Sequence, residues 1–198
     1  VEKEVDDEDV VIAAKLHGHL SAGVALGIRM GQIGLKRLKL SKGDKRLFAV
    51  VETSLCLADG IQASTGCTPG HASLHIEDFG KLAACLARSD TKTGVRIVLK
   101  HDVQSPSVKD WMMRKAKLNH QMEEELVKEL LHLDESFFLI EEVIIEPFYK
   151  FDNSEIVHCS RCKEPLTESK AVKRRGKTLC KACSNMKYYT EKPIFSNR

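Results

Sequence analysis

Four cysteines near the C-terminus, Cys159 with Cys162 and Cys180 with Cys183, form two CxxC pairs separated by residues 163–179. A two-residue gap lets both thiolates of a pair turn onto one ion, and tetrahedral Zn2+ takes four such ligands at roughly 2.3 Å. With every position filled by thiolate, no place is left for a substrate or an activated water, so the role of this group is structural. Four unconnected thiols or two disulfides are the plainer readings, and the paired spacing weighs against both.

A second set of chemistry-bearing residues lies far upstream. His17-Gly18-His19, followed by Ser21 and Gly23, places two imidazoles two residues apart. In an extended stretch such positions project to one side, about 7 Å apart at Cα, where both could face one ion or substrate. Taken alone, the pair reads as readily as two surface histidines bonded to water or backbone. Cys56 sits where a strand passes into a helix, within Glu52-Thr53-Ser54-Leu55-Cys56-Leu57-Ala58-Asp59-Gly60-Ile61-Gln62. The positive end of that helix favours thiolate, the form that ligates metals and attacks electrophiles. Asp59, one turn on, shares roughly the same helix face and joins the candidate pocket. Cys67, in Gly66-Cys67-Thr68-Pro69-Gly70-His71, is harder to bring there: a helix rising about 1.5 Å per residue sets it about 12–16 Å along unless its loop folds back.

Local signals predict the elements that position these residues. Residues 5–16 carry Val10, Ile12, Ala13 and Leu16 at helical spacing, and the turn Leu16-His17-Gly18-His19 ends that helix. Ser21 is an N-cap for a long helix over residues 22–38, with Lys36, Arg37 and Lys39 near its negative end. Residues 47–53 alternate as a strand, and 56–64 read as a helix stopped by Gly66. Residues 82–88 and 95–100 form a hairpin through 89–94. Ser105-Pro106 opens a helix carrying Trp111, Met112, Leu118, Met122, Leu126 and Leu130 on its apolar face, and residues 137–146 give a short helix or strand. Without a regular βαβ rhythm, the mixture predicts an α+β core over residues 1–153 and a small zinc finger over 154–198.

Gly23, Gly27 and Gly31 recur every four residues of the second helix, with Gly34 close by. Such a face accepts another backbone closely, either within the subunit or across a dimer interface. Arg29, Gln32 and Lys36 exclude the membrane version of this pattern, and its place inside a helix excludes a dinucleotide fingerprint. No P-loop, nucleophile elbow or Ser/His/Asp signature occurs elsewhere.

At 198 residues the chain has room for one core and a satellite, since domains commonly run about 100–150 residues. No apolar run approaches the roughly 18 residues of a membrane span, and the acidic start lacks the order of a secretory signal, so a cytoplasmic protein is expected. Its seven cysteines then point to metal or thiol chemistry before disulfides. The net charge of +3 is unevenly shared: residues 154–198 carry 11 Lys/Arg against 4 Asp/Glu, leaving 20 against 24 for the rest. A basic finger beside a mildly acidic core is a pattern to weigh for nucleic acid or an acidic protein surface.

His17-Gly18-His19-Leu20-Ser21-Ala22-Gly23, Glu52-Thr53 with Cys56 and Ala58-Asp59-Gly60-Ile61-Gln62, Gly66-Cys67-Thr68, Gly80-Lys81-Leu82-Ala83 and Gly94-Val95-Arg96 follow one another in a fixed order. In that order they resemble, over roughly residues 10–150, the FmdE family, named for the E component of formylmethanofuran dehydrogenase. Some members of that family carry a C-terminal zinc finger of treble-clef type. The chain departs from the family's usual Phe-His-Gly-His followed by Cys-Pro in having Leu16, Ser21 and Ala22. The resemblance implies an α+β core, a homodimer, and a pocket where His17, His19 and Cys56 hold a second transition metal, zinc or other, with Asp59 and Cys67 nearby. It also implies an enzyme or accessory role in one-carbon or Mo/W metabolism, alone or within a larger enzyme complex. The parent reaction belongs to molybdenum or tungsten subunits, and this chain has no pterin or iron–sulfur pattern of its own. The alternative expectation is a nucleic-acid- or protein-binding module acting through Lys173, Arg174, Arg175, Lys177 and Lys181.

Overall fold

The first two helices meet at a corner made by a single glycine. Helix α1 (Asp7–His17) ends where Gly18 adopts φ +93 and returns its N–H to the Ala14 carbonyl at 2.9 Å. Helix α2 (Ala22–Leu38) then starts at Ser21, whose hydroxyl accepts from the Val24 N–H at 3.4 Å, a cap of the kind that contributes about 1 kcal/mol. Lys39 closes α2 in the left-handed conformation. Both limits of α2 match the capping signals in the sequence.

The computed structural model describes residues 7–115, 117, 119–145 and 153–190, so Val5, Leu118 and Glu146 of the expected elements lie outside the described residues. By its internal contacts the chain separates into two units, Val1–Tyr149 and Lys150–Arg198. No described helix is long and apolar enough to cross a membrane.

In the first unit, β1 (Leu47–Val51), β2 (Leu74–Ile76), β3 (Ala83–Arg88), β4 (Thr93–Leu99) and β5 (Phe138–Ile144) form one sheet in the order β2-β1-β3-β4-β5. Strand β2 runs parallel to β1 and the remaining pairs are antiparallel, so the sheet is mixed and the architecture α+β. Strand periodicity sends Leu47, Ala49, Val51, Leu86 and Ile97 into the main core with Leu26, Ile28, Ile33 and Ile61 of the helices. Phe48, Val50, Cys85 and Ala87 form a smaller apolar cluster of their own. At the end of β1, the buried Glu52 takes a two-pronged ion pair from Arg96 of β4, which also reaches Glu141 of β5 at 2.8 Å. That guanidinium holds the Glu52 carboxyl below its ordinary range.

Helix α3 (Leu57–Thr65) ends at the left-handed Gly66 and packs on α2. A Cβ placed on Gly27 would strike the Leu57 carbonyl oxygen and stand 2.9 Å from Gly60 Cα; one on Gly60 would stand 2.8 Å from Gly27 Cα. A Cβ on Gly31 would strike the Ser64 hydroxyl. The glycine stripe is thus occupied by α3 of the same subunit, and the dimer-interface version of that reading falls.

The helix expected from Ser105-Pro106 through Leu130 is two helices, α4 (Pro106–Met112) and α5 (His120–Leu131). Arg114 takes a left-handed φ of 53, and Asn119 starts the new helix by accepting from the Met122 N–H at 2.9 Å. Apolar spacing continues across the break, so periodicity alone joined what a cap and a turn separate. Within residues 137–146, expected as helix or strand, Phe138–Ile144 form strand β5 after a short turn over Glu135–Phe137. Strand β2, three residues long, left no sequence signal.

Candidate functional site

The second unit is built around its cysteines. Two short hairpins, β6 (Ile156–His158) with β7 (Pro165–Thr167) and β8 (Val172–Arg174) with β9 (Lys177–Leu179), end at the two CxxC pairs. Cys159 and Cys162 occupy the turn after β6, where the left-handed Lys163 returns its N–H to the Cys159 carbonyl. Cys180 follows β9 and Cys183 lies in the turn Ala182–Ser184. All four Sγ atoms lie within 4.8 Å of one another, and Cys162 Sγ to Cys180 Sγ is 3.9 Å. A tetrahedron with 2.3 Å arms has edges of about 3.8 Å, so the group fits a closed four-thiolate ion.

Backbone amides complete the shell. The Cys180 N–H donates to Cys159 Sγ and the Cys183 N–H to Cys180 Sγ, both at 3.3 Å. The Cys180 amide, followed by that of Cys162, draws the Cys159 thiol down to about 6, so it is ready as a thiolate at neutral pH. This is the small four-cysteine finger that spacing predicted, and it can hold a metal such as zinc.

In the first unit a cleft of about 750 Å³ gathers residues from five chain segments. His17 closes α1 and His19 follows the glycine corner; their rings lie 5.0 Å apart between centroids, inclined by 45°. The two imidazoles come together across the left-handed Gly18, and not along the extended stretch expected. Cys56 stands at the N-cap of α3 and its side chain makes no capping hydrogen bond, which leaves the thiol to the cleft. Gly23, in the first turn of α2, permits that placement, since a Cβ there would sit 3.0 Å from Cys56 Cβ.

Asp59 lies one turn into α3, and its Oδ2 is 2.6 Å from His17 Nδ1. A carboxylate accepts only, so Nδ1 carries a proton, and in the neutral imidazole Nε2 then holds the lone pair. Among the described residues, the four finger cysteines are the one group of three or more His, Cys, Asp or Glu side chains whose donors all lie within 4.8 Å. His17, His19 and Cys56 line the cleft without closing to that distance.

Cys67 does not take part. It lies beyond Gly66 at the opposite end of α3, buried, its sulfur 3.9 Å from the Leu47 carbonyl, with burial raising its thiol pKa. Asp78 and Lys81, which sequence reasoning gave no role, do line the cleft. Asp78 accepts from the Ser54 hydroxyl at 2.6 Å and the Gly80 N–H at 3.1 Å, and the Ser54 bond leads in holding its carboxyl below the ordinary range. Lys81 stood in Gly80-Lys81-Leu82-Ala83, one of the ordered motifs, without a residue type that names a task, and Asp78, two residues before that motif, carried no signal.

The fold and these groups define an α+β protein with a histidine- and cysteine-lined core cleft and a separate four-cysteine finger. The family model described as "FmdE, Molybdenum formylmethanofuran dehydrogenase operon" matches residues 16–145, and the chain belongs to this family. A crystal structure of a tungsten formylmethanofuran dehydrogenase FmdE-like protein from Syntrophus aciditrophicus is similar in fold. Its TM-score is 0.73 at 23% identity, over 93% of this chain and 94% of that one. A curated protein of Archaeoglobus fulgidus, named "Probable S-adenosyl-L-methionine-binding protein", is 29% identical over 89% of this chain. The chain spans about half the length of that relative, 52%.

Proposed function

We propose that this FmdE-family protein holds structural zinc in its finger and uses the core cleft as a second, partly open metal or substrate site formed by His17, His19 and Cys56. The observation that carries the reading is the bond from His17 Nδ1 to Asp59, because it presents Nε2 as a lone-pair donor beside His19 and an uncommitted thiol. Imidazole and thiolate suit zinc and other late transition metals. A metal bound there would act as a Lewis acid toward a ligand in its open position. Asp59 fixes the tautomer and ring of His17, and Lys81 and Asp78 supply charge of both signs to the cleft.

Family membership supports a role in one-carbon or Mo/W metabolism, as an enzyme or as an accessory subunit. A shell of four free thiolates suits a reducing compartment, which supports a cytoplasmic location. A homodimer stays the expected assembly, built on a surface other than the glycine stripe. The ligand named for the Archaeoglobus relative makes S-adenosyl-L-methionine one small molecule to titrate against the cleft.

Metal analysis of the purified protein tests the reading. More than one equivalent per chain is expected, and substituting His17→Ala with Cys56→Ala should remove only the excess. A ratio of one in both proteins would end the proposal of a core metal, and light scattering in the same preparation reads the assembly.

A further inference from the structure

The tip of the β8–β9 hairpin concentrates positive charge at the cost of its own backbone and cross-strand pairing. Its two-residue loop, Arg175-Gly176, has φ of +50 and +70, the left-handed pair of a type I′ turn. Asn or Asp is the side chain that suits the first of these positions, and an arginine there is strained. Arg174 stands directly opposite Lys177 in the register, so two like charges face each other across the closing pair. Neither choice helps the hairpin form. Together they set three cations on one turn.

No ion pair among the described residues relieves them. Among the described residues, Arg174, Arg175 and Lys177 are exposed and make none, and Lys181 just beyond β9 is likewise exposed and unpaired. Lys173 by contrast is neutralised by Glu168 at 2.7 Å. The hairpin is tied to the cysteine group through β9: Ser160 donates its N–H to the Thr178 carbonyl at 2.8 Å, and the Cys180 N–H donates to Cys159 Sγ. The cationic turn therefore extends from the strand that carries Cys180 into the four-cysteine group.

The same unit presents aromatic surface. Tyr188 is 97% exposed and Tyr189 48%, with their rings edge to face at 5.2 Å. Lys187 lies over the Tyr189 ring, which leaves Tyr188 with open faces. Across the described residues 153–190 there are nine Lys/Arg against three Asp/Glu, so four thiolates on a divalent ion leave the unit positive. A phosphodiester chain needs spaced cations, and unpaired bases need bare aromatic faces; an acidic protein surface needs only the first. From this combination we infer that the finger binds single-stranded nucleic acid, with Arg174, Arg175 and Lys177 on phosphates and Tyr188 stacked on a base.

The test is fluorescence anisotropy of the full chain with labelled mixed-sequence single-stranded RNA and DNA, their duplexes, and polyglutamate as competitor. Saturable binding that weakens steeply with salt and favours single strands is expected. Arg175→Asn relieves the turn, so it should keep metal content and raise the melting temperature while weakening binding. Combined with Arg174→Ala and Lys177→Ala, it should cut the salt slope by about 2, because three phosphates are no longer neutralised. Tyr188→Ala should weaken single-strand binding about tenfold with the salt slope unchanged. Absence of salt-sensitive binding would overturn the inference. So would equal competition by polyglutamate together with indifference to Tyr188→Ala, which would mark the tip as a protein-docking surface.

Discussion

His17 Nδ1 and Asp59 Oδ2 lie 2.6 Å apart although 42 residues separate them in the chain. This contact joins the end of α1 to the first turn of α3 and sets which nitrogen of His17 faces the cleft. In long-range 1H–15N spectra, His17 should show the tautomer protonated at Nδ1, and Asp59→Ala should lose that preference. If the core holds a metal, Asp59→Asn should weaken it about 10–100-fold and leave the finger's equivalent in place. A wild-type His17 protonated mainly at Nε2 would refute the assignment.

The Gly27 and Gly60 backbones are too close for any side chain between them. Gly27→Ala or Gly60→Ala should destabilise the first unit by about 1–3 kcal/mol, a fall of about 2–12 °C in its melting temperature. Gly43→Ala makes a useful contrast, because nothing lies within 4 Å of its Cβ position and only its left-handed backbone, φ +76, is strained. Scanning calorimetry should therefore rank Gly27→Ala well below Gly43→Ala.

Glu52 gives the core an acid-sensitive contact. Its carboxyl is lowered in the folded protein by Arg96, so the pair contributes fully above the unfolded value of about 4.3 and fades as pH falls through the folded value. Glu52→Gln should cost about 1.5–3 kcal/mol at pH 7. Denaturant titrations at falling pH should show the two proteins converging below about pH 4. A difference that stays constant with pH would show that the ion pair does not stabilise the fold.

Metal removal should unfold one unit and spare the other. A chelator at neutral pH should abolish hydrogen-exchange protection in β6 to β9, where short strands depend on the cysteine shell, while α2 and β3 stay protected. Acid should do the same, because protons compete with the metal for the four thiolates: metal should be retained at pH 7 and lost as the pH is lowered, with β6 to β9 losing protection in step with it. Protection in β8 and β9 that survives complete demetallation would contradict the dependence.

Much of this molecule was legible before folding was considered, and the legible parts share one property. The limits of α2, the stop of α3 at Gly66 and the four-cysteine group each rest on residues close in sequence: a capping hydroxyl, a left-handed glycine, a two-residue gap between thiols. The break between α4 and α5 was legible too, in Asn119, but apolar spacing from Trp111 to Leu130 masked it. Strand β2 was not, because three residues that pair parallel to β1 owe their conformation to a partner about 25 residues upstream.

By itself the sequence determined an α+β chain with a complete thiolate shell and a set of motifs that mark its family. Only the tertiary structure decided that Asp59 serves His17, that Cys67 lies away from Cys56, and that α3 fills the glycine face left open to a dimer. The reason is physical: caps and chelate pairs are set by bonds a few residues long, whereas the cleft is set by how closely α2 and α3 approach. That approach depends on Gly27 meeting Gly60, and no local spacing rule relates those two positions.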